Sequence, residues 1–157
     1  VRVITTSDQR WARRDIKSVS LLPNVLAKEQ AVKAGAFEAW LVDDEGVITE
    51  GSHSNAWLVD ASETVITHQE SHKILSGITR NRVITIARSN GINVIETPFT
   101  MADVEKAKEA FLTSTSSFVV PVVRIDEKII AQGEPGPITK RIRELYLREV
   151  QDFVQTI

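Results

Sequence analysis

The residues best suited to binding an anion stand just before one predicted helix. Ser76-Gly77-Ile78-Thr79 directly precedes apolar residues at helical spacing, and the unpaired N–H groups and the dipole of a helix start favour phosphate. Ser76 could equally serve only as the N-cap of that helix. Residues 113–117 (Thr-Ser-Thr-Ser-Ser) follow a predicted strand, and such hydroxyl groups either bind phosphate oxygens or form an ordinary polar loop. The sequence therefore offers two anion-binding candidates, each with a purely structural alternative.

The histidines suggest other chemistry. His68 and His72 have the four-residue spacing that places two metal ligands on one helix face, but their neighbours are typical of a loop, which weakens that geometry. His53 could act as a base for a neighbouring serine, yet Gly51-Ser52-His53-Ser54 lacks the Gly-x-Ser-x-Gly pattern of a nucleophile elbow. We therefore predict no metal site and interpret His53 as a loop histidine.

Composition narrows the classes of function. The 157 residues are 42% hydrophobic and 25% charged, with a net charge of -2 and no cysteine. One domain of ordinary soluble composition is expected, without disulfides, thiolate catalysis or cysteine-based metal sites. No long block of one charge sign suggests a nucleic-acid surface, and no apolar stretch is long enough to span a bilayer. We expect a cytoplasmic protein that binds neither nucleic acid nor membrane.

Strand and helix patterns intermingle, which indicates an α/β (α+β) fold with helices packed on a sheet. After a strand that starts at Val1 and breaks near Ser7, further strands are predicted at residues 37–42, 47–50, 56–59, 64–67, 92–95, 111–113, 119–125 and 128–131. The early elements resemble strand-rich hairpins more than regular βαβ units. No linker divides the chain into two domains.

Helices are predicted in four places. Residues 23–33 form the first, with Gly35 beyond its end and an apolar face of Leu22, Val25, Leu26 and Val32. The second follows Ser76, is terminated by Asn90-Gly91 and has as apolar residues Ile78, Val83, Ile84 and Ala87. Residues 101–110 form the third, and the fourth follows the break at Pro135-Gly136-Pro137.

Read together, short segments across nearly the whole chain resemble the large domain of the class IV aminotransferases. This family includes D-amino acid aminotransferase, branched-chain aminotransferase and aminodeoxychorismate lyase. The segments that match the family in order are Arg10-Trp11-x-Arg13-x-Asp15-Ile16-Lys17-Ser18, Leu21-Leu22-Pro23-Asn24, Gly35-Ala36-Phe37-Glu38-Ala39, Thr49-Glu50-Gly51-Ser52, Ser54-Asn55, Leu75-Ser76-Gly77-Ile78-Thr79-Arg80, Thr113-Ser114-Thr115 and Pro135-Gly136-Pro137-Ile138-Thr139. The Asp-Ile-Lys-Ser and Leu-Leu-Pro-Asn forms resemble the D-amino acid branch more than the branched-chain branch.

The resemblance implies a pyridoxal 5'-phosphate site. Lys17 would hold the cofactor as a Schiff base and act as the catalytic base, and Glu50 would face the pyridine nitrogen. The other cofactor-binding residues implied are Arg10 near the phenolic oxygen, Leu75 on the ring face, and Gly77, Ile78, Thr79, Ser114 and Thr115 around the phosphate. His53 departs from the serine expected in its loop.

The resemblance also implies an activity and its partners. We expect transamination between a D-amino acid and a 2-oxo acid, in a full-length protein that forms a homodimer. The alternatives within the family are an aminodeoxychorismate lyase and a branched-chain aminotransferase; outside it, a non-catalytic fragment that binds cofactor weakly. The family's smaller N-terminal domain has no counterpart in residues 1–157, so we expect this chain to be the cofactor-binding domain, and inactive by itself.

Overall fold

The computed structural model describes residues 1–155 and contains two β-sheets and four α-helices. One sheet has the strand order β11-β10-β1-β2-β3-β7, and its strands are β1 (Arg2–Ser7), β2 (Glu38–Val42), β3 (Val47–Gly51), β7 (Phe99–Thr100), β10 (Arg124–Ile125) and β11 (Lys128–Ile129). The other has the order β6-β5-β4-β8-β9, and its strands are β4 (Asn55–Val59), β5 (Val65–Thr67), β6 (Val94–Glu96), β8 (Glu109–Ser114) and β9 (Phe118–Val122). The helices are α1 (Leu22–Lys33), α2 (Ile78–Ser89), α3 (Met101–Val104) and α4 (Pro137–Gln155). The predicted α/β class with helices on a strand-rich core is confirmed.

Two parallel crossovers differ from the expectation that the early elements are hairpins more than βαβ units. β1 pairs in parallel with β2 across α1, and β5 pairs in parallel with β6 across α2. Each is a βαβ unit, in which the helix carries the chain back to the same end of the sheet. The predicted hairpin of β2 and β3 is present as an antiparallel pair.

The hydrophobic core lies mainly between the two sheets. Trp40 and Ile48 of one sheet pack in the same buried cluster as Leu58 and Leu112 of the other. A second cluster fixes α2 and α4 against the outer face of the β4–β8 sheet, through residues that include Trp57, Val83, Phe111 and Ile142. Residues 52–54 carry the chain from one sheet to the other, because β3 ends at Gly51 and β4 begins at Asn55. The junction of the sheets is therefore the place where loops from both can meet.

The predicted apolar face of α1 is wrong. Its buried residues are Ala27 and Ala31, which pack with Ala36, Ala39 and Leu41, while the larger apolar residues Leu22, Val25, Leu26 and Val32 are 45–68% exposed. Small side chains allow a helix to lie close to a sheet, so the alanines form the contact.

Two other helix predictions also differ from the structure. α3 ends at Val104, because the chain from Glu109 pairs along β4 as β8; cross-strand pairing outweighs the helical pattern there. Ile78, predicted to be an apolar contact of α2, is 85% exposed at the helix start.

None of the helices within residues 1–155 is both long and apolar enough to cross a membrane.

Candidate functional site

A cavity of about 420 Å³ opens at the junction of the two sheets. The ends of β3 and β8, the start of α2 and the irregular segment before α1 all contribute to its wall. All nine residues that the sequence resemblance assigned to cofactor binding line this cavity, namely Arg10, Lys17, Glu50, Leu75, Gly77, Ile78, Thr79, Ser114 and Thr115. The fold therefore brings together residues from distant parts of the sequence.

Glu50 is a buried carboxylate with a partner on each oxygen. Its Oε1 accepts hydrogen bonds from the Arg10 guanidinium and from the backbone N–H of Leu75 at 3.1 Å, and its Oε2 accepts one from Asn55 Nδ2 at 3.0 Å. Burial raises the pKa of Glu50, and the positive charge of Arg10 opposes that rise. The partners fix the orientation of the carboxylate at the cavity wall.

A second carboxylate, that of Asp8, also binds Arg10. Arg10 Nη2 donates to Asp8 Oδ2 at 2.8 Å, and Arg14 lies 3.2 Å from the same oxygen. Thr49 also donates to that oxygen at 2.8 Å. Burial by itself would raise the pKa of Asp8, but these three partners together lower it. Asp8 therefore holds Arg10 in place and offsets part of its charge beside Glu50.

The start of α2 has no side-chain cap. Gly77 is the N-cap and no side chain caps the helix, so the first N–H groups of α2 are free for a ligand. A Cβ atom at Gly77 would come within 2.2 Å of Asn55 Oδ1, so a larger residue at position 77 would have to displace that side chain. Ser76 does not act as the N-cap; its hydroxyl donates to Glu70 at 2.5 Å. Of the two interpretations of this segment, the structure favours the anion site.

The hydroxyl cluster at the end of β8 lies on the same cavity. Ser114 and Thr115 both line it, and the N–H of Ser117 donates to Ser114 Oγ at 3.1 Å. Thr113, one residue earlier, is occupied by a hydrogen bond of 2.9 Å from Trp57 Nε1. The two anion-binding candidates of the sequence therefore face one cavity.

Lys17 lies in the irregular segment between β1 and α1. Its side chain is exposed and makes no hydrogen bond or ion pair with other residues in the described range 1–155. Neighbouring apolar residues of the cavity wall are exposed as well, with Trp11 at 50%, Ile16 at 45% and Leu21 at 52%. An amine with no internal partner is available to react with a carbonyl compound in the cavity.

The serine–histidine interpretation of the β3–β4 loop is not supported. His53 Nδ1 lies 2.6 Å from Glu38 Oε2, and the Ser52 hydroxyl donates to the other oxygen of the same carboxylate at 2.5 Å. His53 therefore cannot take a proton from Ser52 through Nδ1. Glu38, although part of a segment that matched the family, carried no signal of this role in the sequence.

The remaining histidines lie in the loop between β5 and α2, as the sequence indicated. His68 is buried and its Nδ1 lies 2.7 Å from the carbonyl of Gln69, whereas His72 is exposed. Burial lowers the pKa of His68. Within residues 1–155, no group of three or more His, Cys, Asp or Glu side chains is arranged to hold a metal ion.

The comparisons agree with this geometry. Residues 1–125 match the family described as amino-transferase class IV. The chain belongs to the class IV aminotransferases. It is 44% identical over 143 residues to the D-alanine aminotransferase of Bacillus licheniformis, a match that covers 91% of this chain and 50% of that protein. It is 41% identical over 152 residues to the D-alanine aminotransferase of Staphylococcus aureus strain N315, with coverage of 96% and 53%.

Solved structures of class IV aminotransferases share the fold. A branched-chain amino acid aminotransferase complexed with N-(5'-phosphopyridoxyl)-L-glutamate superposes with a TM-score of 0.85 at 38% identity, covering 93% of this chain and 50% of that one. The Escherichia coli branched-chain amino acid aminotransferase gives a TM-score of 0.84 at 28% identity, with coverage of 94% and 51%. The chain thus spans about half the length of the relatives it matches.

Proposed function

We propose that this chain is the cofactor-binding domain of a pyridoxal 5'-phosphate-dependent aminotransferase that acts on a D-amino acid and a 2-oxo acid. One observation carries the proposal: a free lysine, a buried carboxylate and an uncapped helix start converge on one cavity. The curated relatives, which are D-alanine aminotransferases, favour the D-amino acid as substrate.

The cavity has the donors and acceptors that this cofactor requires. The free N–H groups at Ile78 and Thr79, with the hydroxyls of Ser114 and Thr115, suit a phosphate. Gly77 leaves space where any other side chain would collide with Asn55. Glu50 is the buried carboxylate that a protonated pyridine nitrogen needs as a partner. In this arrangement Lys17 would form the covalent bond to the cofactor and Leu75 would contact its ring.

When bound, pyridoxal phosphate supplies an electron-withdrawing ring that stabilises negative charge at the substrate's Cα. Glu50 would keep the proton on the ring nitrogen, and Arg10 and Asn55 hold Glu50 in place. The amine of Lys17 would move the proton at the Cα of the substrate. Its amine has no competing partner within residues 1–155.

A further part of the protein is needed to complete the site. Four apolar residues of the cavity wall, Trp11, Ile16, Leu21 and Ile78, are 45–85% exposed, and exposed apolar surface of this kind is usually covered by a partner. We propose that an N-terminal domain, which would account for the other half of the relatives' length, covers this surface and binds the substrate's carboxylate. In the complete protein we propose a cytoplasmic homodimer.

Borohydride reduction tests the cofactor site. Reduction of the complete protein with pyridoxal phosphate, followed by peptide mapping, should place the label on Lys17 alone. Label on Lys28, Lys33 or Lys73 would contradict the assignment. The activity is tested by a coupled assay with D-alanine and 2-oxoglutarate, with L-leucine and aminodeoxychorismate as the competing substrates of the family.

The same assay tests the proposed domain organisation. Residues 1–157 alone should show little or no transaminase activity, because nothing orients the substrate toward Lys17. Addition of the N-terminal half, or expression of the full reading frame, should restore turnover. Full activity from residues 1–157 alone would refute the need for a second domain.

A further inference from the structure

A fully buried carboxylate lies beneath the loop that joins β3 to β4. Glu38 of β2 has no exposed surface, yet it is surrounded by donors. Its Oε1 accepts from the N–H of Ala39 at 2.8 Å and from the Ser52 hydroxyl at 2.5 Å. Its Oε2 accepts from the Ser54 hydroxyl at 2.9 Å and the His53 N–H at 3.3 Å, and it lies 2.6 Å from His53 Nδ1. The whole loop is thus organised around one carboxylate.

The packing around Glu38 leaves no freedom for the loop. A Cβ atom on Gly51 would lie 2.2 Å from Ser54 Oγ and 3.2 Å from Glu38 Cδ. On the other side, Asn24 Nδ2 donates to the carbonyl of Ser52 at 2.7 Å, which ties the loop to α1. These contacts hold the backbone of His53 in place, and the contact with Glu38 fixes its ring.

The orientation of the ring determines its chemistry. Glu38 is kept ionised, because its donors lower its pKa although burial alone would raise it. An ionised carboxylate accepts a proton donor, so Nδ1 of His53 carries hydrogen and Nε2 of the neutral ring carries a lone pair. The side chain is 41% exposed and lines the cavity that contains Lys17, and Nε2 has no hydrogen-bond partner within the described residues.

We propose that His53, positioned by Glu38, is a second proton-transfer residue of the cavity and accepts the proton of the substrate's ammonium group at Nε2. This inference rests on the proposed function, in which an amino acid must lose that proton before its nitrogen can displace Lys17 from the cofactor. One N–H bond breaks at the ammonium group and one forms at Nε2. The proton is returned to solvent or to the departing amine, so no other reactant is required.

The electrostatic surroundings of His53 suit this exchange. Glu38 from β2 and Glu50 from β3 supply negative charge, while Lys17, Arg10 and Arg14 from the segment before α1 supply positive charge to the same cavity. Glu50 is engaged by Arg10, and Arg14 by Asp8. Lys17 has no hydrogen-bond or ion-pair partner among residues 1–155.

The test compares His53→Ser with His72→Ser in the complete, cofactor-loaded protein. His72 is exposed and lies outside the cavity wall, so its replacement should leave the pH profile of kcat/KM unchanged. His53→Ser should lower kcat/KM about tenfold or more and change the shape of the pH profile. The loss is smaller than the roughly 10²–10⁴-fold effect of a sole general base, since Lys17 and solvent remain as alternatives. In His53→Gly, added imidazole should restore activity, which a purely structural role for His53 would not produce.

A second measurement needs neither cofactor nor activity. In ¹⁵N NMR spectra of the chain, the neutral ring of His53 should carry its hydrogen on Nδ1, and Glu38→Gln should abolish that preference. Hydrogen on Nε2 in the parent would overturn the proposal. Unchanged pH profiles in His53→Ser, in a parent that is active, would overturn it while leaving the proposed function intact. A parent without transaminase activity would instead refute the proposed function, and this role with it.

Discussion

Two parts of the cavity wall differ in how firmly their ionisable side chains are held. On the wall formed by β3, Glu50 is 4% exposed and its oxygens are held by Arg10, Asn55 and the Leu75 N–H. On the wall formed by residues 10–20, Lys17 is exposed and has no partner within the described chain. In the proposed function, the carboxylate keeps one orientation toward a ring, whereas the lysine breaks and re-forms a covalent bond. The partners of Glu50 and the free amine of Lys17 suit these two proposed roles.

The largest effect on activity is expected at Lys17. Lys17→Gln should abolish transamination, with a loss above the roughly 10²–10⁴-fold typical of a lost general base, because the covalent anchor disappears too. The free energy of unfolding should change by less than about 0.5 kcal/mol, since the side chain makes no internal hydrogen bond or ion pair within residues 1–155. Steady-state kinetics and chemical denaturation measure the two quantities. A clear loss of stability would show that Lys17 is not free, and the contrast between the walls would fail.

Replacement of Glu50 should change both turnover and the free energy of unfolding. Glu50→Gln should lower turnover by about 10²-fold or more, because a neutral amide cannot keep a proton on the ring nitrogen. It should also cost about 1–3 kcal/mol of stability, because Arg10 loses a buried, charged acceptor. Glu134→Gln, an exposed glutamate outside the cavity, is the matched control and should change neither. Turnover within a few-fold of the parent would mean that Glu50 does not face the ring.

A smaller effect is expected at Gly77, which lies beside Asn55 in the cavity wall. Gly77→Ala would place a Cβ 2.2 Å from Asn55 Oδ1, and Asn55 donates to both Glu50 and the carbonyl of Leu75. Displacement of Asn55 should weaken cofactor binding by roughly tenfold, equivalent to one hydrogen bond to a charged group. Titration of the cofactor by absorbance measures this change. Ser76→Ala, beside it on the exposed side, should leave affinity unchanged; an equal loss there would point to general damage to α2.

The sequence predicted the family and the members of the site better than it predicted their contacts. The class IV resemblance is confirmed by the family match over residues 1–125, and the nine assigned residues line one cavity. Their individual roles toward the cofactor stay predictions. Local motifs identify such residues because a short segment can be matched to a family without knowing which residues contact it in space.

What the sequence could not show depends on pairing between distant segments. Asp8 follows β1 and Glu38 lies in β2, and neither has a sequence signal of its role, yet Asp8 binds Arg10 and Thr49, and Glu38 organises the loop between β3 and β4. The burial predicted for the large residues of α1 is wrong for a related reason. Apolar periodicity predicts that a helix has an apolar face, but it does not show which residues of the helix contact the sheet. In α1 the alanines make that contact.

The smallest effect is expected at Glu96, which stabilises the start of α2 from outside the cavity. Its carboxylate accepts from the buried Arg80 at 2.8 Å and from Arg88 at 3.1 Å. These hydrogen bonds and charges, that of Arg80 first, lower the pKa of Glu96 below its ordinary value of 4.5. A lowered folded-state pKa stabilises the protein above the unfolded value, and this contribution is lost as the pH falls through the folded value. Glu96→Gln should therefore cost about 1 kcal/mol at pH 7, since Arg80 keeps the carbonyl of His68 at 2.7 Å. The difference from the parent should shrink as the pH falls below about 4. Denaturant titrations from pH 7 to 3 measure it, and a difference that persists at low pH would show that packing, rather than charge, makes Glu96 important.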